Sequence, residues 1–188
     1  MAEGFSLGGG VVVTVDARDL IDEARVFQQL GDGDLVNMAL SRALNWTMDR
    51  TYTQVARGLA KQTGLAYSAV PKSLEKRYAS AGNLEAQIVG TGKFHSLADF
   101  GPTQRKKGVS AKPWNVRRTF PGTFMGPNGQ VYKRLGRSRL PIEKLWGPSI
   151  PREMTRGNVA STFQAVVRER LPARVEHEVG FILRKLGG

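Results

Sequence analysis

Residues 100–146 read FGPTQRKKGVSAKPWNVRRTFPGTFMGPNGQVYKRLGRSRLPIEKLW. From Asp99 to Glu143 no acidic residue intervenes, while Arg105, Lys106, Lys107, Lys112, Arg117, Arg118, Lys133, Arg134, Arg137 and Arg139 all fall inside. These ten cations nearly account for the formal net charge of +12, so the flanks are close to balanced. The punctuation is Phe120-Pro121-Gly122 and Gly126-Pro127-Asn128-Gly129, with Trp114, Phe124 and Tyr132 between. Such a pattern predicts short strands joined by turns. Residues 124–125 and 129–134 should pair as a hairpin across the Gly-Pro-Asn-Gly turn, and residues 114–120 should add a further strand piece. Residues 101–113 are polar, basic and punctuated by Gly and Pro, and are expected to form an extended, exposed loop. Residues 136–139 make a second basic loop.

Helical patterns bracket this region. Towards the N-terminus, Asp34 can cap a long helix over 34–63. Its apolar stripe of Val36, Leu40, Leu44, Met48, Tyr52, Val55 and Leu59 recurs every three or four residues. Gly64 suits the position just past the helix end. Upstream, residues 1–10 are expected to be a flexible terminus, Val11–Val15 a strand, and Leu20–Leu30 a first helix. Downstream, a short helix is expected from Ser68 to about Tyr78, with Pro71 in its first turn. Leu84–Gly90 reads as a strand, and Phe94–Phe100 as a short strand or edge. The prolines of residues 147–151 argue for extended chain. A last helix begins near Asn158, with Val159, Phe163, Val166 and Val167 on one stripe that Val175, Val179, Ile182 and Leu186 continue. Pro172 should kink it or turn it into a hairpin.

The expected fold is therefore a single α+β domain over residues 1–188. A small, mostly antiparallel sheet packs against a long amphipathic helix and a C-terminal kinked helix, with a long basic loop. The 188 residues suffice for one core. No cysteine is present, which excludes disulfides and thiolate metal sites. Two histidines, His95 and His177, do not suggest a histidine-rich metal centre. No window approaches ~18 consecutive apolar residues, so no membrane span is expected. A pI near 10.5 favours polyanionic neighbours: nucleic acid, or an acidic protein face.

Several blocks in fixed order resemble the minor tail protein Z family of lambda-like tailed phages and prophages. They are residues 39–45 (ALSRALN), 60–65 (AKQTGL), 99–101 (DFG), 106–110 (KKGVS), 120–124 (FPGTF), and 140–142 (LPI) with 146–151 (WGPSIP). The resemblance covers roughly residues 39–151. It implies a structural virion protein, a tail completion protein at the head-proximal end, or neck, of a long tail. By the same resemblance it forms a homo-oligomeric, sixfold ring near the DNA end, assembled in the bacterial cytoplasm. Implied partners are the tail terminator, the tail tube and the head-closure protein. A role as terminator or head-closure protein itself is the alternative. No catalytic residue, metal or cofactor comes with the family.

The candidate contact residues are Arg105, Lys106, Lys107, Lys112, Arg117, Arg118, Arg137 and Arg139. They could face phosphates of DNA in a lumen, in a sequence-neutral and salt-sensitive way. Alternatively they meet carboxylates of neighbouring subunits, or solvate a loop, as charge runs usually do. Trp114, Phe120 and Phe124 suit core anchors or subunit contacts better than base-stacking platforms. An enzyme reading rests on Asp16, Asp19, Asp22, Glu23, Asp32 and Asp34, but helix capping and the Gly31-Asp32-Gly33 turn explain several of these locally. A free DNA-binding regulator is disfavoured, because the cations lie on loops and strands rather than on a recognition helix.

Overall fold

The computed structural model describes residues 4–7, 10–16, 33–156 and 158–186. The expected helix over 20–30 and the Gly31-Asp32-Gly33 turn fall largely outside them. Among the described residues are three antiparallel sheets, three α-helices and four short 3-10 turns, one of which, Leu97–Phe100, stands where a short strand or edge was expected. The first sheet has the order β1-β2-β4-β3, from Gly4–Leu7, Gly10–Asp16, Glu85–Gly90 and Leu74–Arg77. The second is β5-β6-β7, from Thr103–Arg105, Gly108–Ala111 and Arg118–Pro121. The third is β8-β9-β10, from Thr123–Met125, Val131–Arg134 and Ile142–Lys144. The helices are α1 (Gly33–Thr63), α2 (Ile150–Met154) and α3 (Asn158–Leu186). Gly4–Leu7 thus pairs with β2, where the sequence suggested a flexible terminus.

The stripe on α1 is the centre of the core. Leu40, Leu44, Met48, Val55 and Leu59 are buried, and Ala39, Ala43 and Ala56 let neighbours approach closely. Three threonines share this dry face, and two return their hydroxyls to the preceding turn. Thr51 donates to the Thr47 carbonyl at 2.8 Å, and Thr63 to that of Leu59 at 2.7 Å. Against α1 lies α3, whose Val159, Phe163, Leu171, Val175, Val179 and Ile182 repeat at helical spacing and are buried. At their seam Arg174 stacks on Trp46 (4.9 Å to the ring centre) and pairs with Glu178. α3 runs through Pro172 as one helix, so the hairpin alternative does not occur. The proline and Arg168, whose carbonyl it deprives of a donor, are both exposed, and water can satisfy that carbonyl.

Two local expectations give way to long-range pairing. Residues 68–78 form two short 3-10 turns and then β3 instead of a helix. The open edge of β4 supplies partners from Leu74↔Gly90 to Arg77↔Gln87. Asn45 on α1 bonds both backbone groups of Ala79, at 2.9 and 2.7 Å. Asp49 accepts from Lys76 at 2.7 Å and from Tyr78 at 3.0 Å, and the Lys76 bond holds that ammonium above its usual pKa of 10.5. Likewise residues 101–113, read as an extended loop, are the β5–β6 hairpin. All four residues of β6 are buried, with Val109 donating its N–H to Thr123 Oγ1 at 2.8 Å. Ile150-Pro151 opens α2 rather than continuing an extended chain, the proline standing in the first turn.

Gly64 ends α1 as its position predicts. Its φ is +80°, and its N–H bonds the Ala60 carbonyl at 3.0 Å. The same glycine is where the β5–β7 region meets the helix. A Cβ there would stand 2.9 Å from the Asn115 nitrogen and 3.0 Å from the Lys112 oxygen. Gly64→Val therefore strains the backbone and pushes the two layers apart. Urea unfolding should show a loss of at least about 2 kcal/mol, and a loss within error would refute this view of the joint.

Candidate functional site

Strand register sorts the cations into two groups. β6 runs from Gly108 to Ala111, and after it the Lys112 N–H bonds the Phe100 carbonyl while Asn115 reaches the Lys61 carbonyl at the end of α1. The Ala111 end of the sheet is therefore the end nearest the helices. Lys112, Arg117 and Arg118 stand there, with Arg118 opposite Ala111. The Gly108 end is the far one. The Arg105-Lys106-Lys107 turn lies there, and the Lys107 carbonyl accepts from the Gly122 N–H. Thr123 faces Lys133, Arg134 faces Ile142, and the loop carrying Arg137 and Arg139 continues beyond, closed by the Leu135 N–H on the Pro141 carbonyl. The far ends of two sheets thus gather Arg105, Lys106, Lys107, Lys133, Arg134, Arg137 and Arg139.

All eight sequence candidates are exposed, and none belongs to an ion pair among the described residues. Leu135, Leu140 and Ile142 are exposed in the same far loop. Of the aromatic candidates, Phe120 and Phe124 are half-buried, and Arg134 lies 5.4 Å from the Phe124 ring centre. Trp114 behaves differently. It is not in a strand but in a tight turn, where Trp114 (φ 52°) and Asn115 (φ 57°) both adopt left-handed backbone. For a bulky residue that conformation costs on the order of 1–3 kcal/mol and persists only where its surroundings over-determine it.

The surroundings are unusual. Glu153 on α2 is buried, and its two oxygens are shared between layers: Oε1 accepts from Trp114 Nε1 at 3.1 Å and Oε2 from Gln62 Nε2 at 2.7 Å. Gln62, at the end of α1, also reaches the Glu153 and Arg156 carbonyls. Helix α1, helix α2 and the β6–β7 connection are thereby tied at one carboxylate. The outer face of Trp114 stays 44% exposed and borders a groove with Phe94 and Trp146, both exposed as well. Sequence reasoning passed over Phe94 and Trp146. No local sequence signal marks either as exposed; beside Trp146 the backbone of Gly147 runs so close to Phe100 that a Cβ there would stand 2.5 Å from its ring.

His95 lies 3.6 Å from Asp99 and has its backbone locked to residues 147–148, a structural setting. Among the described residues no three His, Asp or Glu side chains are grouped to hold a metal ion, and no helix is long and apolar enough to cross a membrane. Asp19, Asp22, Glu23 and Asp32 fall outside the described residues.

The family model for prophage minor tail protein Z (GPZ) matches residues 24–187. No curated protein and no solved structure matches the chain.

Removing the shared acceptor tests the tie. Glu153→Ala leaves the Trp114 donor without a partner and takes from Gln62 its shortest acceptor, leaving it the Glu153 and Arg156 carbonyls; it should cost about 2 kcal/mol in urea unfolding, with a changed near-UV tryptophan signal. An unchanged midpoint and spectrum would show that the carboxylate is dispensable.

Proposed function

The chain belongs to the prophage minor tail protein Z family, and from that premise we propose that this phage tail structural protein is a tail completion protein. In this reading, copies form a ring, sixfold like the tail tube, at the head-proximal end of a long tail. There they help join tail to head beside the tail terminator and head-closure proteins. The observation that carries the reading is the charge imbalance at the far end of the β-region: seven exposed cations on two short sheets, in no ion pair among the described residues, against the single carboxylate Glu143 that register places opposite Lys133. Clustered like charge repels itself and is kept where a partner supplies the opposite sign. The helical layer and the Glu153 tie give that end a fixed mount, as assembly contacts require.

The cations then meet carboxylates of neighbouring subunits. A second reading, contact with DNA phosphates in the lumen, is favoured by the unbroken absence of acid over residues 100–142. Catalysis is no part of the proposal.

Two measurements separate the outcomes. The variant Lys106→Glu, Lys107→Glu, Arg137→Glu, Arg139→Glu alters only exposed side chains, so it should melt within a few degrees of the parent. In a phage lacking its own copy it should yield tails that fail to join heads. Normal joined particles would refute the assembly role. DNA retention by the isolated assembly across a salt series decides between the readings. Retention that falls steeply with salt supports the lumen, and no retention supports subunit carboxylates. A shortened chain is the wrong tool, because deleting residues 105–112 would remove the buried strand β6.

A further inference from the structure

We propose that the groove between Phe94, Trp114 and Trp146 is a docking site for an acidic, apolar peptide segment of another protein. The site is separate from the basic far end. It sits where the Trp146-Gly147-Pro148 segment, bridged to residues 95–96, meets α2 and the Trp114 turn. Its volume is about 390 Å³, room for a few side chains. Phe94, Trp114 and Trp146 are 44%, 44% and 52% exposed. Three large aromatics open to solvent in one concavity are the composition of an interaction hot spot, not of a packed surface.

Charge selects the occupant. Arg152 and Arg156 line the groove and are exposed, and Lys144 stands beside it. Arg152 lies 5.6 Å from the Phe94 ring centre and Lys144 lies 4.3 Å from that of Trp146. The one carboxylate in the lining is Glu153, whose oxygens already accept from Gln62 and Trp114. The groove therefore offers apolar walls and an uncompensated positive rim, which fits a segment alternating carboxylates with apolar side chains. The exposed apolar loop of a second copy, Leu135–Ile142, carries Arg137 and Arg139 and would meet like charge. Single-stranded nucleic acid would stack on ring faces, of which Arg152 and Lys144 already occupy one each on Phe94 and Trp146; poly(dT) is therefore the competing probe in the test.

Two of the chain's three tryptophans line the groove, so intrinsic fluorescence reports on it directly. The full chain is titrated with a synthetic peptide alternating Glu with Leu and Phe, with its lysine counterpart, and with poly(dT). The expected result is a saturable change for the acidic peptide and none for the lysine peptide. Arg152→Glu with Arg156→Glu should weaken the acidic peptide at least about tenfold, roughly 1.4 kcal/mol, and reverse the preference. Trp146→Ala should also weaken it. Arg137→Ala with Arg139→Ala should leave the affinity unchanged; a loss as large as that of the groove variant would place the binding at the far end and overturn the proposal. Thermal melts of each variant check folding. No saturable binding of the acidic peptide, equal binding of both peptides, or binding of poly(dT) alone would each overturn the proposal. None of these outcomes bears on whether the chain completes tails.

Discussion

A carboxylate with almost no solvent must have its oxygens satisfied by the protein, and Glu153 meets that requirement across three elements. Its partners are the last turn of the central helix and a tryptophan held in left-handed backbone. The left-handed turn that brings Trp114 within reach is strained on its own. The hydrogen bond to Glu153, the close approach at Gly64 and the Asn115 contact to the Lys61 carbonyl together hold it. If that joint loosened, the β-region and its cations would lose their fixed orientation to the helices, and Val109, Ala111 and Val131 would be drawn out of the one core they share with α1 and α3.

The two halves of the molecule divide the work. The helical half supplies apolar burial, with α1 and α3 packed along Trp46, Phe163 and the aliphatic stripe, and β4 beneath α1 and α2. The β-half supplies surface. Only β6 and single residues such as Thr123 and Val131 are dry there, and the strands are three or four residues long. Short strands with basic turns expose much side chain per buried residue. The family match over most of the chain makes it a structural protein of a phage tail.

Elements with strong periodicity could be read from the sequence. The stripe of α1, its glycine stop, the β8–β9 hairpin at Gly126–Gly129 and the onset of α3 all follow from local signals. What failed depends on partners distant in sequence. Leu74–Arg77 has no strand alternation worth the name and becomes a strand because β4 offers an edge. Gly108–Ala111 is short and small-sided, so nothing in it announced burial on both faces between β5 and β7. The cations were visible as a cluster, but their division into near and far groups needed the register. The aromatic groove was hidden more completely, since Phe94, Trp114 and Trp146 come from three separate segments and meet only in the fold.

The most direct measurement is a cryo-EM map of the tail particle that contains this chain. The account predicts copies in a closed ring at the head-proximal end, with the Arg105–Lys107 turn and the Arg137–Arg139 loop against a neighbouring subunit or the DNA. A chain found as an isolated copy, with that end of its sheets facing bulk solvent, would contradict it.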